Sequence, residues 1–354
     1  MLRAADTFAD PRDGGHPRPL AGARAWIITD GKVGMDVQAK GVAEALGLAY
    51  EMKKVSPSGI WQVLAPWGPV GPREKFGKPG SVFAPPWPQV AIASGRASIP
   101  YIRALKRQSH GTTLGATFTV VLQDPKTGPG TADFVWVGEH DKLRGENVIT
   151  TMTSPHGFSP ARLASLRANP PAYIASLPQP RAAVILGGKN AVYKFTDADD
   201  ERLVAALSSL AGLGVSFMIT PSRRTHERLL RKVEEATRGA PRILWDGTGA
   251  NPYPDFLANA DVLIVTADSV NMTGEACATG RPVYVFTPSS GSDKFRRFHS
   301  ALETIGATRP LPVRFYGMEQ WSYPPLDSAA IIAAEIERRW MQAKTQTQAA
   351  GSHT

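Results

Sequence analysis

The stretch Val262-Leu-Ile-Val-Thr-Ala-Asp-Ser-Val-Asn-Met-Thr-Gly-Glu-Ala-Cys-Ala-Thr-Gly-Arg-Pro-Val-Tyr-Val-Phe286 decides the fold. Two short apolar runs, 262–265 and 283–286, flank a polar loop and a short helical stretch. Strands buried on both faces of a parallel sheet read as near-continuous apolar runs, and both runs fit. Asp268, Ser269 and Asn271 sit where the intervening helix begins. A helix start offers unpaired backbone N–H groups and partial positive charge, which suits phosphate. Glu275 follows one turn into the helix, placed like a carboxylate that would grip a ribose. The competing reading is a helix cap at Asp268 or Ser269, with Glu275 at the surface.

The same rhythm extends through the chain. In the second half, strands are expected at 182–186, 215–219 and 243–245, with helices at 197–210, from 225 to 237, at 254–260 and at 293–305. In the first half, strands are expected at 25–29, 51–55, 90–93, 117–122, 134–137 and 148–151. Helices follow at 35–46 and from 98 to 107. Alternating strand and helix implies a parallel sheet covered on both faces, with ligands beyond the carboxyl ends of the strands. The reading is α/β, with two Rossmann-like domains facing a cleft. The domains are expected at 25–170 and 181–311, with a helix-plus-linker region at 154–180 between them. A closing segment and helix should cover 312–342, and residues 1–24 and 343–354 are read as a disordered lead and tail.

At 354 residues, with 42% hydrophobic content, the chain suits two domains of ordinary size. Its single cysteine, Cys277, excludes an internal disulfide framework and fits a reducing compartment. No apolar run reaches bilayer length. The first residues mix arginines with Asp6, Asp10 and Asp13 and lack an apolar core, unlike a signal peptide. A cytoplasmic location follows, peripheral to the inner face of the membrane. The net charge is +9, but the basic residues are dispersed, without a nucleic-acid motif. Phosphorylated ligands and an anionic membrane are therefore favoured over nucleic acid. In 56–88, Trp61, Trp67, Phe76, Phe83 and Trp87 are interleaved with Lys75 and Lys78. That mixture suits a membrane interface, or equally a long loop that packs its aromatics inward.

Several polar loops fall at strand ends. Gly187 and Gly188 permit close backbone approach, and Lys189, next to Asn190, supplies charge for a diphosphate, without Walker A spacing. The alternative is a strand-end turn with a solvated lysine. Arg223 and Arg224 follow the next strand, where paired guanidiniums suit a leaving diphosphate neutralised without a metal. In the first half, Asp30 is the candidate general base for an acceptor hydroxyl, or else a turn or helix cap. Gly31, Lys32 and Gly34 complete that loop, and Ser94, Gly95 and Arg96 form a second anion-friendly loop. Asp197-Ala-Asp199 matches a DxD metal pattern, but the acids read better as the opening of a helix. His110, His140, His156, His226 and His299 lack metal-ligand spacing, so neither metal nor cofactor is expected; His156 is an alternative base.

From residue 26 to about 311 the chain resembles the bacterial relatives of the plant "elongated mitochondria" fission protein. The matching residues are Thr29-Asp-Gly-Lys-Val-Gly34 with Gln38 and Gly41, Ser94-Gly-Arg-Ala-Ser98, Leu186-Gly-Gly-Lys-Asn190, Thr220-Pro-Ser-Arg-Arg-Thr225 and Thr266-Ala-Asp-Ser-Val-Asn-Met-Thr-Gly-Glu275. That family in turn looks like GT-B glycosyltransferases, through its two-domain pattern and the Ser-Val, Glu-Ala and Gly-Arg-Pro-Val elements of 269–283. The resemblance implies that Ser269, Asn271, Met272 and Glu275 contact a nucleotide-sugar donor. It also implies a glycan or lipid-linked acceptor bound by the first domain.

The expected function is metal-independent transfer of a sugar from a nucleotide sugar to such an acceptor. The rival is a non-catalytic adaptor that keeps the fold and recruits a partner. A third reading is a sugar-nucleotide epimerase on a related scaffold, which would consume nucleotide sugar without acceptor.

Overall fold

The computed structural model describes residues 18–110 and 116–351. Most of the lead at 1–24, and residues 352–354 of the tail, lie outside that range. The chain divides into two compact units. Among the described residues, the first comprises 18–110, 116–151, Pro155–Gly157 and 328–351, and the second Met152–Ser154 and Phe158–Asp327.

In the first unit β1 (Arg24–Thr29) leads to α1 (Val33–Ala45) and β2 (Ala49–Lys54). After α2 (Ile60–Leu64) come β3 (Val90–Ser94) and α3 (Ile99–Ser109), then β4 (Phe118–Leu122), β5 (Phe134–Gly138) and β6 (Val148–Thr151). The six strands form one sheet in the order β2-β1-β3-β4-β5-β6, and every adjacent pair is parallel. Successive residues of a strand point to opposite faces, and both faces of this sheet are covered. Ile27, Ile92 and Val120 belong to one apolar cluster, and Ile28, Ala93 and Val121 to another. That double burial is why β3, β4 and β5 are largely apolar and buried along their whole length.

In the second unit α4 (Pro160–Ala168) and α5 (Ala172–Ala175) precede β7 (Arg181–Leu186) and α6 (Asp197–Ala211). Then come β8 (Ser216–Pro221), α7 (Glu227–Ala236), β9 (Arg242–Leu244) and α8 (Tyr253–Asn259). The unit continues through β10 (Val262–Thr266), α9 (Val270–Cys277), β11 (Val283–Phe286), α10 (Asp293–Thr304) and β12 (Thr308–Pro310). Its strands also form one sheet, in the order β12-β11-β10-β7-β8-β9, again parallel throughout. The centre of the sheet is thus β10 and β7, with β8 beside β7, and the carboxyl ends of these three strands carry the loops singled out above in this half of the chain.

Several details differ from the sequence reading. The 154–180 region, read as a helix plus linker, does hold a helix, but it also contributes Phe158, Leu163, Ile174 and Leu177 to the core of the second unit. Its helix α4 packs against α8. The closing helix α11 (Ser328–Gly351) runs past residue 342 into the segment read as a disordered tail. It belongs to the first unit, where it packs against α1 with Ile332, Ala333 and Ile336 in the core. The helix α1 begins at Val33, so Gly34 lies in its first turn and not in the loop. Strand β12 escapes a pattern search because it is three residues long and ends in proline.

Candidate functional site

The loops after β7, β8 and β10 are tied together by one buried carboxylate, Asp268. Its Oδ2 accepts from the Gly188 amide at 3.0 Å and from Arg224 Nη2 at 2.8 Å. Its Oδ1 accepts from Thr266 Oγ1 at 2.7 Å, and its backbone carbonyl accepts from Asn190 Nδ2 at 3.2 Å. Thr266 Oγ1 in turn accepts from the Gly187 amide at 2.7 Å. Burial pushes the Asp268 carboxyl up from its ordinary value, against the pull of Thr266, the Gly188 amide and Arg224.

This hub explains the two glycines. A Cβ on Gly187 would overlap the Asp268 carboxylate, and one on Gly188 would overlap the backbone carbonyl of Arg224. The close approach the sequence assigns to a ligand is made in the first place by protein. Asn190 is similarly employed: its Oδ1 accepts from the amides of Val192 and Tyr193 at 2.8 and 2.7 Å. Thr225 Oγ1 donates to Gly187 O at 2.7 Å, closing the β8 loop on the β7 loop.

Two cations stand apart from the hub. Lys189 and Arg223 are exposed, and among the described residues neither makes a hydrogen bond or an ion pair. Arg224 has one nitrogen on Asp268 while 43% of its side chain remains exposed. Lys189 follows β7, and Arg223 and Arg224 follow the adjacent β8. All three therefore stand at the carboxyl edge of the sheet, with their charge uncommitted or half-committed.

The α9 residues divide. Ser269 is the cap of α9, its Oγ accepting from the Met272 amide at 3.3 Å. Met272 packs against the core, and Asn271 is half-buried in the first turn. Glu275 is buried and not a surface residue. It is 7% exposed, and its Oε2 accepts from Tyr253 Oη at 2.6 Å. Burial raises its carboxyl to about 7, opposed by the Tyr253 hydrogen bond. The same burial, with the Glu275 charge beside it, pushes the Tyr253 hydroxyl well above its usual range. Any ribose hydroxyl reaching Glu275 would share it with Tyr253.

In the first unit Asp30 follows β1 and turns back on Lys32, Oδ2 to Nζ 2.6 Å. Its Oδ1 accepts from the Lys32 amide at 3.3 Å, an Asx-type turn. Gly31 holds a positive φ of 80° in that turn. Gly95, with a positive φ of 93°, brings the β3 loop against the Asp30 carboxylate. Asp30, Lys32 and Arg96 line one hollow of about 360 Å³, with Val55, Gln62 and Ala65 among the other walls. Ser94 is not in it; it is fully buried and its Oγ donates to Met35 Sδ at 3.2 Å. Of the family motif residues, Gln38 bonds Gln123 at 2.9 Å. Gly41 lets α1 approach the His156 backbone, which a Cβ would overlap.

The DxD pair is structural. Asp199 forms a capping box with Thr196 and also receives the Ser289 amide, and Asp197 pairs with Lys232. The adjacent Asp200 holds His226 Nε2 at 2.9 Å and Arg228 Nε at 2.8 Å. Among the described residues no cluster of histidine, cysteine or carboxylates is arranged to hold a metal. Sequence reasoning missed the roles of Asp268, Thr266 and Tyr253. The signal for Asp268 was a lone acid closing an apolar strand run, a costly place unless it is fully bonded.

The family model for Mitochondrial fission ELM1 matches residues 33–340. The chain belongs to this family. The Mitochondrial fission protein ELM1 of Arabidopsis thaliana is 28% identical over 278 residues, 71% of this chain and 64% of the plant protein. An uncharacterized Rickettsia prowazekii protein, RP120, is 32% identical over 165 residues, 44% of this chain and 45% of its own. The chain thus spans less than two thirds of each of these relatives. Among solved structures, UDP-GlcNAc 2-epimerase from Methanocaldococcus jannaschii aligns with a TM-score of 0.51 at 10% identity, over 89% of this chain and 99% of that one. The S. aureus MnaA–UDP structure aligns at 0.50 and 11% identity, over 90% of each chain. At such identities the likeness is one of fold, and the fold is GT-B-like. No helix among the described residues is long and apolar enough to cross a membrane.

Proposed function

We propose that this chain binds a nucleotide sugar in its second unit and transfers the sugar to an acceptor without a metal. The observation that carries the reading is the grouping of Lys189, Arg223 and Arg224 at the carboxyl edge of β7 and β8. Guanidinium and ammonium groups left uncommitted at a strand edge suit a diphosphate, whose charge grows as it leaves. The fold likeness to a UDP-GlcNAc 2-epimerase and to the MnaA–UDP structure is consistent with it. On this reading Glu275, with Tyr253, meets the ribose, and Asn271 and Met272 lie along the donor. Asp30 is the acceptor base, and Lys32 and Arg96 bind an acceptor phosphate. A lipid-linked or envelope glycan acceptor places the protein at the cytoplasmic face of a membrane, touching it through the 56–88 segment.

A second reading, the non-catalytic adaptor of the fission type, is favoured by one specific feature. The two acids expected to work are already engaged, Asp30 by Lys32 and Glu275 by Tyr253. The test is turnover. Purified protein is incubated with each nucleotide sugar, with and without a lipid extract as acceptor source. Free nucleotide released only with acceptor supports the transferase. An altered sugar without acceptor indicates an epimerase, and neither product with a bound nucleotide points to the adaptor.

A further inference from the structure

The helix α2 has no buried side chain, although four of its five residues, Ile-Trp-Gln-Val-Leu, are apolar. Ile60 and Val63 are 64% and 72% exposed, and Trp67 just beyond the helix is 63% exposed. Spacings of three and four residues put Ile60, Val63 and Leu64 on one side of the turn. The rest of the segment behaves differently. Phe76 stacks on Phe83 and Trp87 at 5.2 and 5.9 Å, and these rings turn into the core. Singly exposed apolar residues need no explanation, but a contiguous set does.

The charge around α2 indicates what would cover it. Arg96 Nη2 donates to Val63 O at 2.9 Å, and its guanidinium lies 5.9 Å from the centre of the Trp67 ring. Arg103 Nη1 donates to Trp67 O at 2.9 Å. Among the described residues neither arginine has a carboxylate partner. An apolar crest held between two unneutralised guanidiniums is complementary to an anionic bilayer, with apolar tips in the acyl boundary and cations at the phosphates. A protein partner would have to bring its own acids to the same two positions.

We propose that α2 and Trp67 form the membrane-contacting element of the first unit, shallowly inserted among anionic lipids. This narrows the expected contact from the whole aromatic loop to one exposed turn. It rests on the lipid-linked acceptor reading for its purpose. The hollow lined by Gln62 and Arg96 adjoins α2, so an acceptor held in the bilayer would reach it from the lipid side.

The experiment is sedimentation of the full chain with vesicles of phosphatidylcholine alone and of phosphatidylcholine mixed with phosphatidylglycerol. Binding is expected only to the anionic vesicles. It should weaken as salt is raised, and fall about tenfold in the double variant Ile60→Ser, Val63→Ser, whose melting temperature stays that of the wild type. Brominated lipid should quench tryptophan emission, and less so in Trp67→Phe. Failure to bind anionic vesicles overturns the proposal. So does binding that the double variant leaves unchanged, or a concentration-dependent dimer that the variant abolishes. Stabilisation by nucleotides, measured on the same samples, separates the two readings. If it persists without vesicle binding, the membrane proposal fails alone; if vesicles bind without it, the donor reading fails alone.

Discussion

Arg224 gives one guanidinium nitrogen to Asp268 at 2.8 Å, a side chain 43% exposed set against one that is fully buried. The pair crosses from the β8 loop to the β10 loop, with the Gly188 amide on the same carboxylate oxygen. It therefore fixes three loops of the second sheet at once. Removing the acid leaves the Gly188 amide and the Thr266 hydroxyl without their acceptor. Loss of one partner of a buried pair costs about 3–5 kcal/mol, and the exposure of Arg224 places Asp268→Ala near the lower end. Asp268→Asn keeps the shape and an acceptor oxygen and should cost less. Urea unfolding with an unchanged slope would measure both.

The glycines of the β7 loop make a sharper contrast. Gly188→Ala drives a methyl into the Arg224 backbone carbonyl, which cannot swing away as a side chain would. A destabilisation of about 1–3 kcal/mol is expected, together with loss of any anion binding at that edge. Gly130→Ala meets open space and should stay within about 0.5 kcal/mol of wild type. Thermal unfolding of the two variants checks the difference.

Glu275 supplies a pH dependence. Its carboxyl is raised by burial from 4.5 to about 7. Between those values the folded state holds a proton that the unfolded state has lost. Stability from this group is complete below pH 4.5 and declines as pH rises through about 7, after which it is flat. At 1.36 kcal/mol per unit the loss is about 3 kcal/mol. Glu275→Gln should remove this slope and leave the variant more stable than wild type above pH 8. Unfolding free energies across that range decide it; a parallel pair of curves would mean that Glu275 titrates normally.

Lys189→Ala and Arg223→Ala separate binding from folding. Neither side chain is tied to the protein, so each variant should stay within about 0.5 kcal/mol of wild-type stability. If both cations meet a diphosphate, each should weaken nucleotide binding about tenfold, about 1.4 kcal/mol. Calorimetric titration of the two single variants reads this directly.

The two parallel sheets were legible because strands buried on both faces leave unbroken apolar runs, as in β3, β7 and β10. The loops after them were legible for the same reason, since polar residues between such runs stand out. What those loops touch was not. Gly187 and Gly188 signal close approach, but only the fold reveals that Asp268 and the Arg224 backbone make it. Glu275 has the spacing of a ribose ligand, yet its partner Tyr253 lies 22 residues away, a separation no local pattern encodes. In the 56–88 segment composition could not tell Trp67 from Trp87, because one faces water and the other a ring cluster built from β1 and α3.

The central claim is a nucleotide-sugar site in the second unit, and thermal stabilisation by a panel of UDP, GDP, CMP and TDP and their sugars tests it most directly. A ligand that binds only the folded state, at about 100 times its Kd, adds about 2.7 kcal/mol. The account predicts such a shift from one nucleotide class, reduced in Lys189→Ala and Arg223→Ala. No shift from any of them would contradict it and leave the adaptor as the better reading of this fold.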